Sequence, residues 1–181
     1  MKAPTKTLRE IRKILGEAED DLGIVIRGHF LIENALRDAW NNVAIFPDKF
    51  EQKQRYYLDY LAVLSAFGLP GEIEAPCLKL NELRNKFAHH GVWELKNEHV
   101  QSIYVLMPDE FKEMHTNDTT IAYFRQNFRW NEGVPRNHLA LICVDLSNYI
   151  TKSTVGFQYE RRLILTDLWR ITARRRRLLS R

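Results

Sequence analysis

Apolar residues recur along much of this chain at alternating steps of three and four, the period that places them on one face of an α-helix. The clearest run is Leu22, Val25, His29, Ile32, Leu36, Ala39 and Val43, which predicts a long amphipathic helix with a histidine on its apolar stripe. It should stop before Phe46-Pro47-Asp48, because the residue preceding a proline is pushed out of the helical region. Upstream, Thr7-Leu8-Arg9-Glu10 fits a capping box that opens an earlier helix. Tyr57, Leu61, Leu64 and Phe67 form a further stripe, ended by Gly68-Leu69-Pro70. Pro76 suits a first helical turn, Leu80, Leu83 and Phe87 make the inward face, and Gly91 permits the left-handed turn that closes this helix after His89-His90.

Between Val92 and Gly133 the pattern weakens. Val100 to Leu106 fits either a helix or a strand, and Asn117 to Trp130 mixes polar and aromatic residues without a clean period. Helical spacing returns from Pro135 to Ile150 and from Phe157 to Leu179, predicting a helical hairpin that breaks near Thr154-Val155-Gly156. The expected fold is all-α. With no internal repeat or linker, and a length suited to one core, a single domain over residues 1–181 is expected.

Composition narrows the classes. Hydrophobic residues make up 45% of the chain and charged residues 28%, a globular balance. The most apolar segment, Leu22 to Leu36, is interrupted by Arg27, His29 and Glu33, so no membrane helix is expected. The start, MKAPTKTLREIRK, has no apolar signal-peptide run, and a cytoplasmic location is the expectation. Cys77 and Cys143 lack C-x-x-C spacing and read as small core residues rather than a disulfide framework or zinc site. No Gly-rich phosphate loop, nucleophile elbow or H-E-x-x-H motif is present, which argues against nucleotide hydrolases, serine hydrolases and zinc proteases. No cofactor and no metal is implied. The net charge of +4 is uneven, since residues from Gly156 onward carry eight arginines against Glu160 and Asp167.

Candidate chemistry concentrates on Leu80-Asn81-Glu82-Leu83-Arg84-Asn85-Lys86-Phe87-Ala88-His89. On a helix wheel Arg84 and His89 stand about 140° apart around the axis and roughly 7.5 Å apart along it, with Asn81, Asn85 and Ala88 in the arc between. Arginine offers a fixed fork of donors to phosphate oxygens, and histidine titrates near neutrality. Metal-free RNA cleavage needs a base for the 2′-hydroxyl, an acid for the leaving oxygen and a cation for the crowded phosphorane, and these residue types suffice. One Arg84 and one His89 do not obviously converge, whereas a twofold dimer joining two such helix ends would bring two of each to one cleft. The ordinary alternative is that Arg84 pairs with an acidic neighbour and His89 serves the last helical turn, where positive charge suits the macrodipole.

The segment RNKFAH, on a helix following a long amphipathic one, resembles the R-x4-H signature of HEPN domains. The wording LNELRNKFAHHG is most similar to the mannitol operon repressor-like branch. The resemblance covers about Leu22 to Trp93. It implies a HEPN-like helical bundle over about residues 5–93, with 94–181 a helical extension that ends in a basic helix. It implies a homodimer, and often a metal-independent ribonuclease in toxin–antitoxin or phage-defence systems, with RNA and a cognate antitoxin or other protein as partners. Arg84 and His89 match the active-site positions, and Asn85 the polar residue that follows the arginine. Gly91 stands where one branch has a tyrosine, so nothing tied to that tyrosine transfers. The mannitol repressor-like branch implies an alternative, a non-catalytic regulator or adaptor that binds nucleic acid or a protein.

Further candidates support this site. His29 and Glu33 are neighbours at i, i+4. Glu33 could orient Arg84 or His89, His29 and Glu33 could ligate a metal with His90, or His29 could simply be a buried histidine satisfied by the carboxylate. No metal is proposed. Asn81 completes the supporting set. Arg170, Arg174, Arg175, Arg176 and Arg177, beside Trp169, fit a nucleic-acid backbone grip or a solvated helix end.

Overall fold

The computed structural model describes residues 15, 20–44, 56–115 and 134–154, the side chains of 113–115 excepted. Among them there are helices and no strand: α1 (Asp21–Val43), α2 (Tyr57–Ala66), α3 (Gly71–His89), α4 (Asn97–Tyr104), α5 (Asp109–His115) and α6 (135–154). The fold is all-α, as the periodicity predicts. The expected capping box at Thr7 and the expected helix over 157–179 lie outside the described residues.

The long helix α1 organises the rest. Asp20 caps it by accepting from the Gly23 backbone N–H. It packs against α2 and α3, which also pack against each other, while α4 covers α3. Val25, Ile32 and Leu36 are fully buried, and each such side chain contributes about 1.5–3 kcal/mol of burial. The buried face is wider than the sequence stripe: Ile24, Leu31 and Ala35 share the side on which Gly28 meets α6, and Trp40 packs edge-on against Phe67 at the end of α2.

Gly28 marks that second contact. A methyl group at this position would lie 2.7 Å from the Cys143 sulfur on α6, closer than van der Waals contact allows, so the absent side chain lets the two helices approach. Asp21, in the first turn of α1, fastens the same region: one oxygen pairs with Arg136 of α6 at 3.0 Å and the other accepts from the Leu95 backbone N–H at 2.7 Å. The loop that follows α3 is thereby tied to the start of α1.

The helix ends follow their sequence signals with one correction. Gly68, at φ 97°, closes α2, with Leu69 N–H bonded to Leu64 O at 2.9 Å and Gly68 N–H to Ser65 O at 3.0 Å, the reciprocal pair of a Schellman turn. Gly91, at φ 66°, closes α3 after His90. Pro76, expected in a first turn, instead lies inside α3, which begins a turn earlier at Gly71. Burial of Ile73, Pro76 and Cys77 extends the apolar face of α3 and offsets the backbone bond that proline cannot donate. Val100 to Leu106, ambiguous by pattern, starts as helix and ends in a turn.

The Gly28–Cys143 contact predicts a change of sign in a double-mutant cycle. Gly28→Ala should destabilise the native chain, since overpacking costs about 1–3 kcal/mol against at most about 1 kcal/mol gained in helix propensity. In a Cys143→Ala background the same substitution should be neutral or stabilising, as chemical denaturation of the four proteins would measure.

Candidate functional site

α3 carries the predicted residues along one flank. Ile73, Cys77, Leu80, Leu83 and Phe87 are buried against the neighbouring helices; Asn81, Arg84 and Asn85 are half-buried along the margin of that face, and His89 lies beyond it. Steps of three and four join Asn81 to Arg84 and Asn85, and Asn85 to His89, so these four form one continuous polar stripe. Arg84 and Asn85 are half-buried, and the Arg84 guanidinium donates to Asn85 Oδ1 at 3.0 Å. His89, the last residue of the helix, is exposed, as is His90 at the cap. Within one chain Arg84 borders the packed side of α3 and His89 its open side.

Behind the stripe lies a polar network that only the packing assembles. His29 is 7% exposed, and its Nε2 meets Asn81 Oδ1 at 3.1 Å across the α1–α3 seam. With the amide oxygen facing the ring, Nε2 carries the proton and donates it. The imidazole stacks on Tyr57 of α2, with ring centres 4.3 Å apart and planes inclined by 24°. The Tyr57 hydroxyl in turn donates to the Cys77 carbonyl of α3 at 3.0 Å, so one tyrosine braces the histidine and the helix that carries Asn81. Burial lowers the His29 pKa from 6.5 to about 4; the Asn81 hydrogen bond favours the proton, and the Arg84 charge opposes it. The ring is neutral at physiological pH.

Glu33 does not satisfy His29. Its nearer oxygen stands 4.0 Å from His29 Nδ1, beyond hydrogen-bond range, while its other oxygen accepts from Arg37 at 3.2 Å. Arg37 also donates to the Tyr60 hydroxyl at 3.3 Å. The i, i+4 relation of Glu33 to Arg37 was as readable in the sequence as that of His29 to Glu33. The His29–Asn81 pair, 52 positions apart, had no local signal.

Burial pushes the Cys77 thiol up to about 12 and raises Cys143 as well, so both thiols are protonated core groups. Among the described residues no group of three or more His, Cys, Asp or Glu side chains is placed to hold a metal ion. Nor is any helix there long and apolar enough to cross a membrane. Arg170 and Arg174 to Arg177 lie outside the described residues.

A buried histidine with a lowered pKa links stability to pH. The unfolded chain takes up the His29 proton near pH 6.5 and the folded chain only near 4, so this contribution is complete above pH 6.5 and is lost as pH falls through 4. The loss amounts to about 3 kcal/mol. His29→Gln, which binds no proton in this range, should flatten that part of the curve in urea denaturation series between pH 4 and 7.

No protein-family model, curated protein or solved structure matches the chain.

Proposed function

We propose that this chain is a metal-independent endoribonuclease of HEPN type, acting as a homodimer in a toxin–antitoxin or phage-defence setting. The observation that carries the reading is the unbroken polar stripe of Asn81, Arg84, Asn85 and His89, which runs from the packed margin of α3 to its exposed end, with Arg84 held by Asn85. A helix flank with a guanidinium, two amides and an imidazole offers the groups that phosphodiester cleavage uses. Two such faces related by a twofold axis would set an Arg84 of one protomer near a His89 of the other.

In this mechanism one His89 takes the 2′-hydroxyl proton while O2′ attacks the adjacent phosphorus. The P–O5′ bond breaks and the second His89 delivers a proton to the departing 5′ oxygen, leaving a 2′,3′-cyclic phosphate and a 5′-hydroxyl. Arg84 steadies the charge of the phosphorane, and Asn85 keeps the guanidinium in place. The arginine-rich end, Arg170 to Arg177, would hold the RNA backbone by charge alone.

Expression of wild type beside Arg84→Ala and His89→Ala tests the reading. Wild type should arrest growth and fragment cellular RNA, and either substitution should lower cleavage by at least a hundredfold without shifting the thermal midpoint by more than a few degrees. Equal RNA integrity in all three strains would refute catalysis and leave the mannitol operon repressor-like regulator as the better account.

A further inference from the structure

The interior contact between α1 and α3 bears on how the polar stripe of α3 meets an anion. Asn81 sits one turn before Arg84 and Asn85 on α3, and its carboxamide oxygen is committed to the His29 Nε2–H at 3.1 Å. The bond to His29 engages only the oxygen of the half-buried Asn81 carboxamide and leaves its two N–H donors, one helical turn from Arg84, unused by that bond. His29 cannot readily swing away, because its ring stacks on Tyr57 at 4.3 Å and the Tyr57 hydroxyl is bonded to the Cys77 carbonyl. The neutral ring adds no charge beside Arg84, so it fixes the amide without competing for the anion.

We propose that Asn81 and Arg84 form a phosphodiester-binding subsite, in which Asn81 donates its amide N–H to a non-bridging phosphate oxygen and His29 acts as the positioning residue that holds the amide in that orientation. The inference deepens the ribonuclease reading and rests on it for the identity of the ligand, RNA. His29 touches neither the substrate nor the reacting atoms; it acts through Asn81. Arg84 supplies charge, Asn81 supplies direction, and a fixed neutral donor adds specificity for an oxygen acceptor at one place on the phosphate.

The substitutions that separate this role from simple packing are available at both positions. Asn81→Asp keeps an oxygen for His29 but replaces the NH2 donor with an acceptor. His29→Phe keeps a flat ring on Tyr57 but releases the amide, and His29→Gln keeps an N–H donor near the Nε2 position. The test uses the full chain carrying His89→Ala, so that binding is read without cleavage, and a fluorescently labelled triribonucleotide, with the arginine-rich end unchanged in every variant so that its contribution is common to all. Relative to that parent, Asn81→Asp, His29→Phe and Arg84→Ala should each weaken binding at least tenfold, while His29→Gln stays within about threefold. Circular dichroism melting of each variant establishes that it is folded at the assay temperature. Undiminished binding by Asn81→Asp or His29→Phe, a loss with His29→Gln as large as with His29→Phe, or no binding by the parent would each overturn the subsite. Binding with the expected pattern by a protein whose His89-containing form leaves RNA intact would instead overturn the cleavage reading alone.

Discussion

Burying His29 between α1, α2 and α3 obliges the surrounding helices to supply a partner for its ring N–H, because a polar group left unpaired in such an interior costs about 1–3 kcal/mol. The Asn81 amide meets that demand, and the Tyr57 ring fills the space above the imidazole. These contacts do more than satisfy one donor. They set the rotation of α3 about its own axis: with Asn81 facing His29, Leu80, Leu83 and Phe87 face the core, Arg84 and Asn85 are half-buried at its margin and His89 is exposed.

The first two turns of α1 show how the neighbouring segments are held to this arrangement. At its start, Asp21 reaches Arg136 on α6 and the backbone of Leu95 in the loop beyond α3. About two turns later, on the same face of α1, the missing side chain of Gly28 admits Cys143, a second and apolar contact with α6. One contact is charged and directional and the other is steric, so together they specify both the approach and the distance of α6. The loop carrying Gly91 to Lys96 is thus anchored immediately after the helix end on which the candidate imidazole sits.

A candidate site built on a regular helix has a particular economy. Residues at steps of three and four share a face without any loop to order, so Arg84 and Asn85 are presented by backbone already fixed through the core. The same regularity imposes a limit, for it separates Arg84 from His89 by about 140° of rotation and roughly 7.5 Å of rise. Chemistry needing both at one phosphate therefore depends on a second chain.

Much of the architecture was legible in the pattern of residues. Periodicity located α1, the Gly68 and Gly91 turns named the ends of α2 and α3, and the stripe around Arg84 was readable because helix geometry converts sequence spacing directly into a shared face. Pro76 misled, since a local rule about proline placed the start of α3 too late and burial of Ile73 carried the helix back to Gly71. Partners across helices were beyond any such reading. His29 had a plausible local partner in Glu33, yet Glu33 turned to Arg37 and His29 to Asn81, a choice between contacts 4 and 52 residues away in the chain. Local spacing determines which side chains lie together on one helix; which of them bond, and which histidine is neutral, was decided by the packing of α3 on α1, because only that packing removes water and brings distant groups within reach.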